Sequence, residues 1–250
     1  ESYNVYIKGG QYPDYTRIDR ELVRDYGTYA RADVPGLIAA NGYSVKVVPV
    51  TGGHEVESAA SEATGINVAN YSREGFAHLN YQGIGAYNDN GTLKNNAKVL
   101  YITSKTAKTI TTKVMVGNKL TEVTGLQSII DAYQKGTDTT PLAIRIIGKI
   151  SKDDLDKISS SAEGLQVKGR NAYSEMNITI EGIGDDATIS GFGMLVRNCK
   201  SVEIRNLAIM LCLDDCISLD TNNSNIWIHN MDIFYGNTGG DADQAKGDGT

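Results

Sequence analysis

The amino-acid sequence predicts an all-β protein whose larger part is a right-handed parallel β-helix, a solenoid of stacked strands. Three segments, 177–182, 201–206 and 225–230, begin 24 residues apart and carry apolar residues at alternate positions. Alternation of this kind is typical of β-strands. A strand pattern that returns at a fixed interval of about 20 to 50 residues, with no helical segment between the copies, indicates a solenoid with parallel strands.

A second series of strands repeats beside the first. Met194 corresponds to Ile217 at an interval of 23 residues. Val196 corresponds to Leu219 at the same interval, so each coil should carry at least two strands.

The first series predicts which residues lie in neighbouring coils. The expected rows are Ile178 with Val202 and Ile226, Ile180 with Ile204 and Ile228, Ile183 with Leu207 and Met231, and Ile209 with Ile233. Asn206 and Asn230 should lie one above the other, where their side-chain amides can hydrogen-bond along the stack.

One amphipathic helix precedes these strands. Its apolar face consists of Leu126, Ile129, Ile130 and Tyr133. Thr124 and Gln127 match a capping box at its start, and Gly136 ends it. A stacked fold needs its open end covered, and this helix is well placed to cover it.

The sequence of residues 1–57 predicts a separate small β domain. Alternating apolar residues occupy 3–7 and 43–50, and Tyr43 is placed to return its hydroxyl to the backbone upstream. The segment resembles the C-terminal part of a fibronectin type III domain without room for the first two strands, which implies that the chain begins inside a domain. We expect 58–98 to be a connecting region and 99–250 to be the β-helix, with its C-terminal part missing.

Composition excludes several classes of function. The 250 residues carry a net charge of −6 and no basic stripe, which argues against nucleic acid as a partner. No apolar run approaches membrane-spanning length. We expect a monomer. Cys199, Cys212 and Cys216 are too few and too oddly counted for a disulfide framework, so we expect small buried hydrophobic residues.

An ordered set of motifs carries a family resemblance. The motifs are 182–193, 202–207, 225–228 and 247–250, preceded by 85–93. In this order they resemble the landmarks of the pectate lyases of polysaccharide lyase family 1, over roughly residues 70–250. The resemblance implies a right-handed parallel β-helix, secretion, and calcium-dependent β-elimination on polygalacturonate, the demethylated form of pectin.

The resemblance also implies metal ligands. Asp215 matches the family's aspartate at the start of the strand before the tryptophan-containing strand, and Asp248 matches the first of two later acids. The second of these would stand at position 252, beyond the chain. Calcium takes carboxylate oxygens and would stabilise the negative charge that develops beside the uronate carboxylate. Asp241 and Asp243 in the same loop as Asp248 are competing candidates.

No catalytic base is expected within the chain. The family's base is an arginine that the resemblance places in a coil after residue 250. Arg197 and Arg205 lie in earlier strands and do not match that position. His229 stands where the family has Asp-His after the Trp-Ile pair, and we expect it to be a hydrogen-bonded residue rather than a catalyst.

Two other functions stay open. Asp214 and Asp215 are also similar to the paired aspartates of polygalacturonases, which are β-helical hydrolases. Those enzymes carry an Asn-Thr-Asp segment one coil earlier, where this chain has Gly191-Phe-Gly-Met194. A non-catalytic β-helical carbohydrate-binding module or adhesin would explain the repeats without a calcium site.

Overall fold

The computed structural model describes residues 2–135 and 137–236. Strands make up 55% of the structure and helices 9%, so the protein is all-β, as predicted. The chain divides into two compact units, one formed by 2–73 with 87–93 and the other by 74–86 with 94–236.

The first unit contains seven strands. They are β1 (Ser2–Gly9), β2 (Tyr12–Arg17), β3 (Val23–Asp25), β4 (Ala30–Ala32), β5 (Ala40–Thr51), β6 (His54–Glu55) and β7 (Ser61–Val68). In the main antiparallel sheet β1 lies between β2 and β5, and β5 also pairs with β6 and β7. Strands β3 and β4 form a separate hairpin.

The sheet extends past residue 57, where the sequence analysis ended the first domain. Strand β7 pairs with β5, so the segment 58–98 is more than a connection. Strand β7 escaped prediction because all but one of its residues are exposed. It therefore lacks the apolar alternation by which a half-buried strand is recognised.

Tyr43 forms the predicted hydrogen bond from its hydroxyl to the backbone upstream. Its hydroxyl donates to the carbonyl of Ile38 at 2.7 Å, and its side chain is fully buried, which raises the pKa of the phenol. The chain at Gly10 passes so close that an added Cβ would lie 1.9 Å from the Tyr43 hydroxyl. A larger residue at Gly10 would therefore displace the ring.

The second unit contains ten strands and one α-helix. They are β8 (Lys98–Ile102), β9 (Thr111–Val116), β10 (Lys119–Thr124), α1 (Leu126–Lys135), β11 (Leu142–Ser151), β12 (Gly164–Lys168), β13 (Ser174–Ser190), β14 (Gly193–Arg197), β15 (Cys199–Cys212), β16 (Ile217–Leu219) and β17 (Ser224–Gly236). One parallel sheet has the order β17-β15-β13-β11-β8, and a second has the order β12-β14-β16. From β11 onward the chain visits the two sheets alternately.

The strand register agrees with most of the predicted rows. The paired residues include Ile178 with Val202, Val202 with Ile226, Ile180 with Ile204, Ile204 with Ile228, Leu207 with Met231, and Met194 with Ile217. The row through Ile183 is wrong, because the register shifts between Glu181 and Thr188 and Thr188 pairs with Ala208. The interval falls from 24 to 20 there, because β13 has four more residues than β15 between these two paired positions.

Helix α1 packs on the apolar interior as predicted. Leu126, Ile129, Ile130 and Tyr133 are buried in one cluster with the inward residues of both parallel sheets. Its start is not capped by Thr124. The carboxylate of Asp156 accepts the backbone N–H of Gln127 at 2.8 Å and that of Ser128 at 3.0 Å. Asp156, 29 positions from Gln127, therefore caps the helix in place of Thr124, which the local sequence motif predicted as the cap.

Left-handed turn residues also recur with the repeat. Asn177, Ser201 and Asn225 have φ values of 55°, 64° and 52°, in a conformation that asparagine tolerates better than most residues. A contact between two side-chain amides occurs instead at Asn222 and Asn198, where Nδ2 of Asn222 donates to Oδ1 of Asn198 at 3.2 Å.

In the predicted pair, the amide of Asn206 donates to the carbonyl of Gly182 at 2.7 Å. The side-chain oxygen of Asn230 contacts the ring of His229 instead. The side chains at this corner therefore bond to backbone and to a neighbouring ring, and they form no amide ladder.

The rows of buried apolar residues between the parallel sheets, called the inward rows here, should contribute most of the free energy of unfolding of this unit. Leu207 is 2% exposed and Leu219 is 52% exposed. We expect Leu207→Ala to lower the free energy of unfolding by about 2 to 5 kcal/mol, because it opens a cavity in the core. The matched change Leu219→Ala should cost less than about 0.5 kcal/mol. Denaturant titration followed by circular dichroism measures both, and equal effects would contradict the described packing.

Candidate functional site around Asp215

Asp215 lies in a short loop that joins the two parallel sheets. The loop runs from Cys212 at the end of β15 to Ile217 at the start of β16. A disulfide between Cys212 and Cys216 closes it, and both cysteines are buried. The backbone N–H of Met194 donates to the carbonyl of Cys216 at 2.9 Å, which holds the loop against β14.

The disulfide corrects the prediction made for the cysteines. Only Cys199 is a free buried cysteine. The tight turn between β15 and β16 brings Cys212 and Cys216 to a Cα separation of 5.3 Å, within the usual range for a disulfide. The cysteine count gave no sign of this, because one isolated bridge needs no framework.

The carboxylate of Asp215 is half-buried and bonded on one side only. Its Oδ2 accepts a hydrogen bond from the hydroxyl of Ser218 at 2.8 Å. No described residue bonds to its Oδ1. One carboxylate oxygen of Asp215 therefore has no hydrogen-bond partner among the described residues.

A second carboxylate, which the sequence did not predict, approaches the same hydroxyl. The Oε1 of Glu163 lies 2.8 Å from the Ser218 oxygen. The other oxygen of Glu163 accepts a hydrogen bond from the hydroxyl of Ser160. Glu163 is 7% exposed, so a large ligand in solvent cannot reach it. The sequence offers one signal for Glu163, which is its position. Glu163 lies directly before β12, and Asp215 lies two residues before β16.

Gly193 lets β14 approach the Asp215 loop closely. A Cβ at this position would lie 2.3 Å from the carbonyl oxygen of Asp215 and 2.6 Å from that of Cys216. Real side chains do not tolerate such distances to backbone atoms. A glycine is therefore required for the loop to keep its position.

The structure leaves part of the predicted metal site undescribed. Asp248 lies outside the described residues, together with Asp241 and Asp243. Within 2–135 and 137–236, no group of three or more His, Cys, Asp or Glu side chains is arranged to hold a metal ion. The free oxygen of Asp215 is a hard donor of the type that calcium prefers. Asp215 thus fits one position of a calcium site whose other protein ligands would come from elsewhere in the chain.

A row of charged residues crosses the outward side of the long parallel sheet. Arg145, Glu181, Arg205 and His229 occupy successive paired positions. Arg205 lies 3.4 Å from Glu181 and 3.3 Å from Glu203, both of which are buried. Paired charges are the usual condition for burying carboxylates, so this row is a stabilising network.

His229 belongs to the end of that row. Its Nε2 lies 2.9 Å from the carboxylate of Glu203, which can only accept, so Nε2 carries a proton. Its ring stacks on Trp227 at 3.7 Å between centroids, and His78 meets Trp227 edge-on at 4.9 Å. His229 is hydrogen-bonded, as expected.

The two arginines that were given no catalytic role are both engaged in ion pairs. Arg205 contacts Glu181 and Glu203, and Arg197 pairs with Asp220 at the surface. Both guanidinium groups are therefore occupied by carboxylates in ion pairs.

No protein-family model, no curated protein and no solved structure matches this chain. In the part of the chain that the structure describes, no helix is long and apolar enough to cross a membrane. The family resemblance of the motifs is therefore a hypothesis.

The three cysteines provide a direct test of the loop. Burial raises the pKa of the Cys199 thiol to about 12, so at pH 8 it is neutral and reacts poorly with iodoacetamide. For protein folded under oxidising conditions, we expect no label in the native state and one after unfolding. Unfolding with a reductant should give three. Mass spectrometry counts the labels, and three without reductant would exclude the disulfide.

Proposed function

We propose that the protein containing this chain is a secreted, calcium-dependent pectate lyase that cleaves polygalacturonate by β-elimination. Its fold would be a right-handed parallel β-helix, preceded by part of a fibronectin type III-like domain. The fold proposal is supported by two parallel sheets that the chain visits alternately at intervals near 24 residues. A chain that advances by one strand in each sheet per repeat is the pattern of a β-solenoid.

The position of Asp215 supports the proposed activity most. Asp215 lies in the loop two residues before β16, and β16 directly precedes the strand that contains Trp227. The resemblance calls for a calcium ligand close to this position. One oxygen is fixed by Ser218 and no described residue bonds to the other. A rigid backbone and a free carboxylate oxygen are what a metal ligand needs before the metal arrives.

The chemistry requires stabilisation of negative charge. Removal of the C5 proton of a uronate produces carbanion character beside its C6 carboxylate, and a bound divalent cation would neutralise that charge. Asp215 would bind the cation, and Asp248 is the proposed second ligand. The base would be an arginine that follows residue 250. The acidic chain, with a net charge of −6, would meet its polyanionic substrate through the cation.

The hydrolase alternative requires two carboxylates that can both reach the sugar. Glu163 is the carboxylate that shares a hydroxyl with Asp215, but it is 7% exposed and bonded through both oxygens. It is therefore unsuited to activate a water beside a polymer. Among the described residues near Asp215, Asp214 is the other candidate partner for a hydrolase mechanism. A binding module without activity is the third outcome that the following experiment can give.

The reaction products distinguish these functions. We expect the complete protein to release 4,5-unsaturated oligogalacturonides from polygalacturonate, seen as rising ultraviolet absorbance, and we expect a chelator to abolish the reaction. A polygalacturonase would release reducing ends without that absorbance. Binding without either product would leave only the carbohydrate-binding module.

Substitution of the acids tests the proposed ligands. Asp215→Asn and Asp248→Asn should each raise the calcium concentration for half-maximal activity by about tenfold or more, because a charged oxygen donor is lost. Asp241→Asn and Asp232→Asn should leave it near the parent value; Asp232 is exposed on β17. Calcium titrations in which Asp241→Asn is more affected than Asp248→Asn would move the site within that loop.

A further inference from the structure

We propose that Glu163 and Ser218 are positioning residues that hold the Asp215 carboxylate ready for a divalent cation. This inference rests on the proposed function, since it concerns the same calcium site. Its evidence is the contact between one hydroxyl and two carboxylates. The Ser218 oxygen lies 2.8 Å from Asp215 Oδ2 and 2.8 Å from Glu163 Oε1.

Glu163 is held firmly by hydrogen bonds to its backbone and its side chain. Its backbone N–H donates to the Ser160 hydroxyl at 3.2 Å, and that hydroxyl donates back to its Oε2. The backbone carbonyl of Glu163 accepts the N–H of Gly193. With 7% of its surface exposed, Glu163 has little freedom to move. It is a fixed point against which Ser218 can be oriented.

The parallel sheet fixes the position of Ser218. It lies on β16 between the buried Ile217 and the exposed Leu219, and it pairs with Leu195 of β14. Its hydroxyl therefore projects from a strand whose backbone is set by the sheet. Asp215 sits three residues earlier in a loop, so Ser218 ties the loop carboxylate to the sheet.

The Ser218 hydroxyl has too few hydrogens to donate to both carboxylates. A serine hydroxyl has one hydrogen and can donate it to only one of the two carboxylates at a time. The other carboxylate then faces an oxygen lone pair, which is unfavourable unless positive charge lies nearby. Among the described residues, neither Asp215 nor Glu163 forms an ion pair with Lys, Arg or His. A cation on the free oxygen of Asp215 would supply that charge.

Together these contacts assign roles to the three residues. Asp215 is the ligand, Ser218 fixes one of its oxygens so that the other stays available, and Glu163 orients Ser218 and adds negative charge beside the site. Partners that orient metal ligands commonly change metal affinity by about 10 to 100-fold when they are removed. The effect should therefore appear in calcium binding itself.

The test measures calcium affinity of the complete protein by isothermal titration calorimetry with calcium chloride. We expect Ser218→Ala and Glu163→Gln each to raise the dissociation constant about tenfold. Ser218→Thr keeps the hydroxyl and should stay within about threefold of the parent. Glu122→Gln removes the same charge from an exposed position on β10 and should have no effect.

The outcomes separate this inference from the proposed function. If the parent binds calcium, Asp215→Asn weakens binding, and both Ser218→Ala and Glu163→Gln bind like the parent, the positioning roles are wrong and the calcium site stands. If the parent binds no calcium, both the positioning roles and the proposed calcium site are wrong. If Glu163→Gln fails to fold, as judged by circular dichroism, Ser218→Ala with its threonine rescue decides. Equal losses for Ser218→Ala and Ser218→Thr would show a packing effect and overturn the inference.

Discussion

Parallel pairing in register is the constraint on which the second unit depends. Because side chains alternate between the two faces of a strand, a shift of one residue would move every inward isoleucine to the outside. The rows through Val202 and Ile204 keep that register over three strands. Their burial offsets the cost of ordering long connections between sheets. The segments between paired rows can then differ in length, as they do between β13 and β15 at 182–187, without disturbing the rows on either side.

The same register determines where polar residues can be placed. Positions that alternate with the inward rows carry Glu181, Glu203 and Arg205. Arg205 forms ion pairs with Glu181 on the neighbouring strand and with Glu203 on its own strand. Buried charges of this kind contribute little net stability, but a carboxylate left without its partner would be costly. The charged row is therefore compatible only with the observed strand alignment, and it adds specificity to a sheet whose apolar rows are chemically alike.

The Asp215 loop shows how a site is built at the edge of such a sheet. The disulfide, the hydrogen bond from Met194 and the close approach at Gly193 fix the loop backbone. Ser218 and Glu163 then fix one side of the carboxylate. Binding and catalytic residues commonly lie in loops and at strand ends, because the buried side chains of the strands are committed to packing. The proposed calcium site follows this division between scaffold and site.

The sequence by itself determined the all-β class, most of the strand register and helix α1, because apolar residues at alternate or helical spacing are set by burial on one face. It also determined the corner at Tyr43, whose hydroxyl finds a backbone carbonyl five residues upstream. Only the tertiary structure decided the contacts between residues distant along the chain. Asp156 caps α1, β7 joins the first sheet although it is exposed, and Glu163 reaches Ser218 across 55 positions. Such contacts depend on how separate segments meet in space, and no local pattern records that.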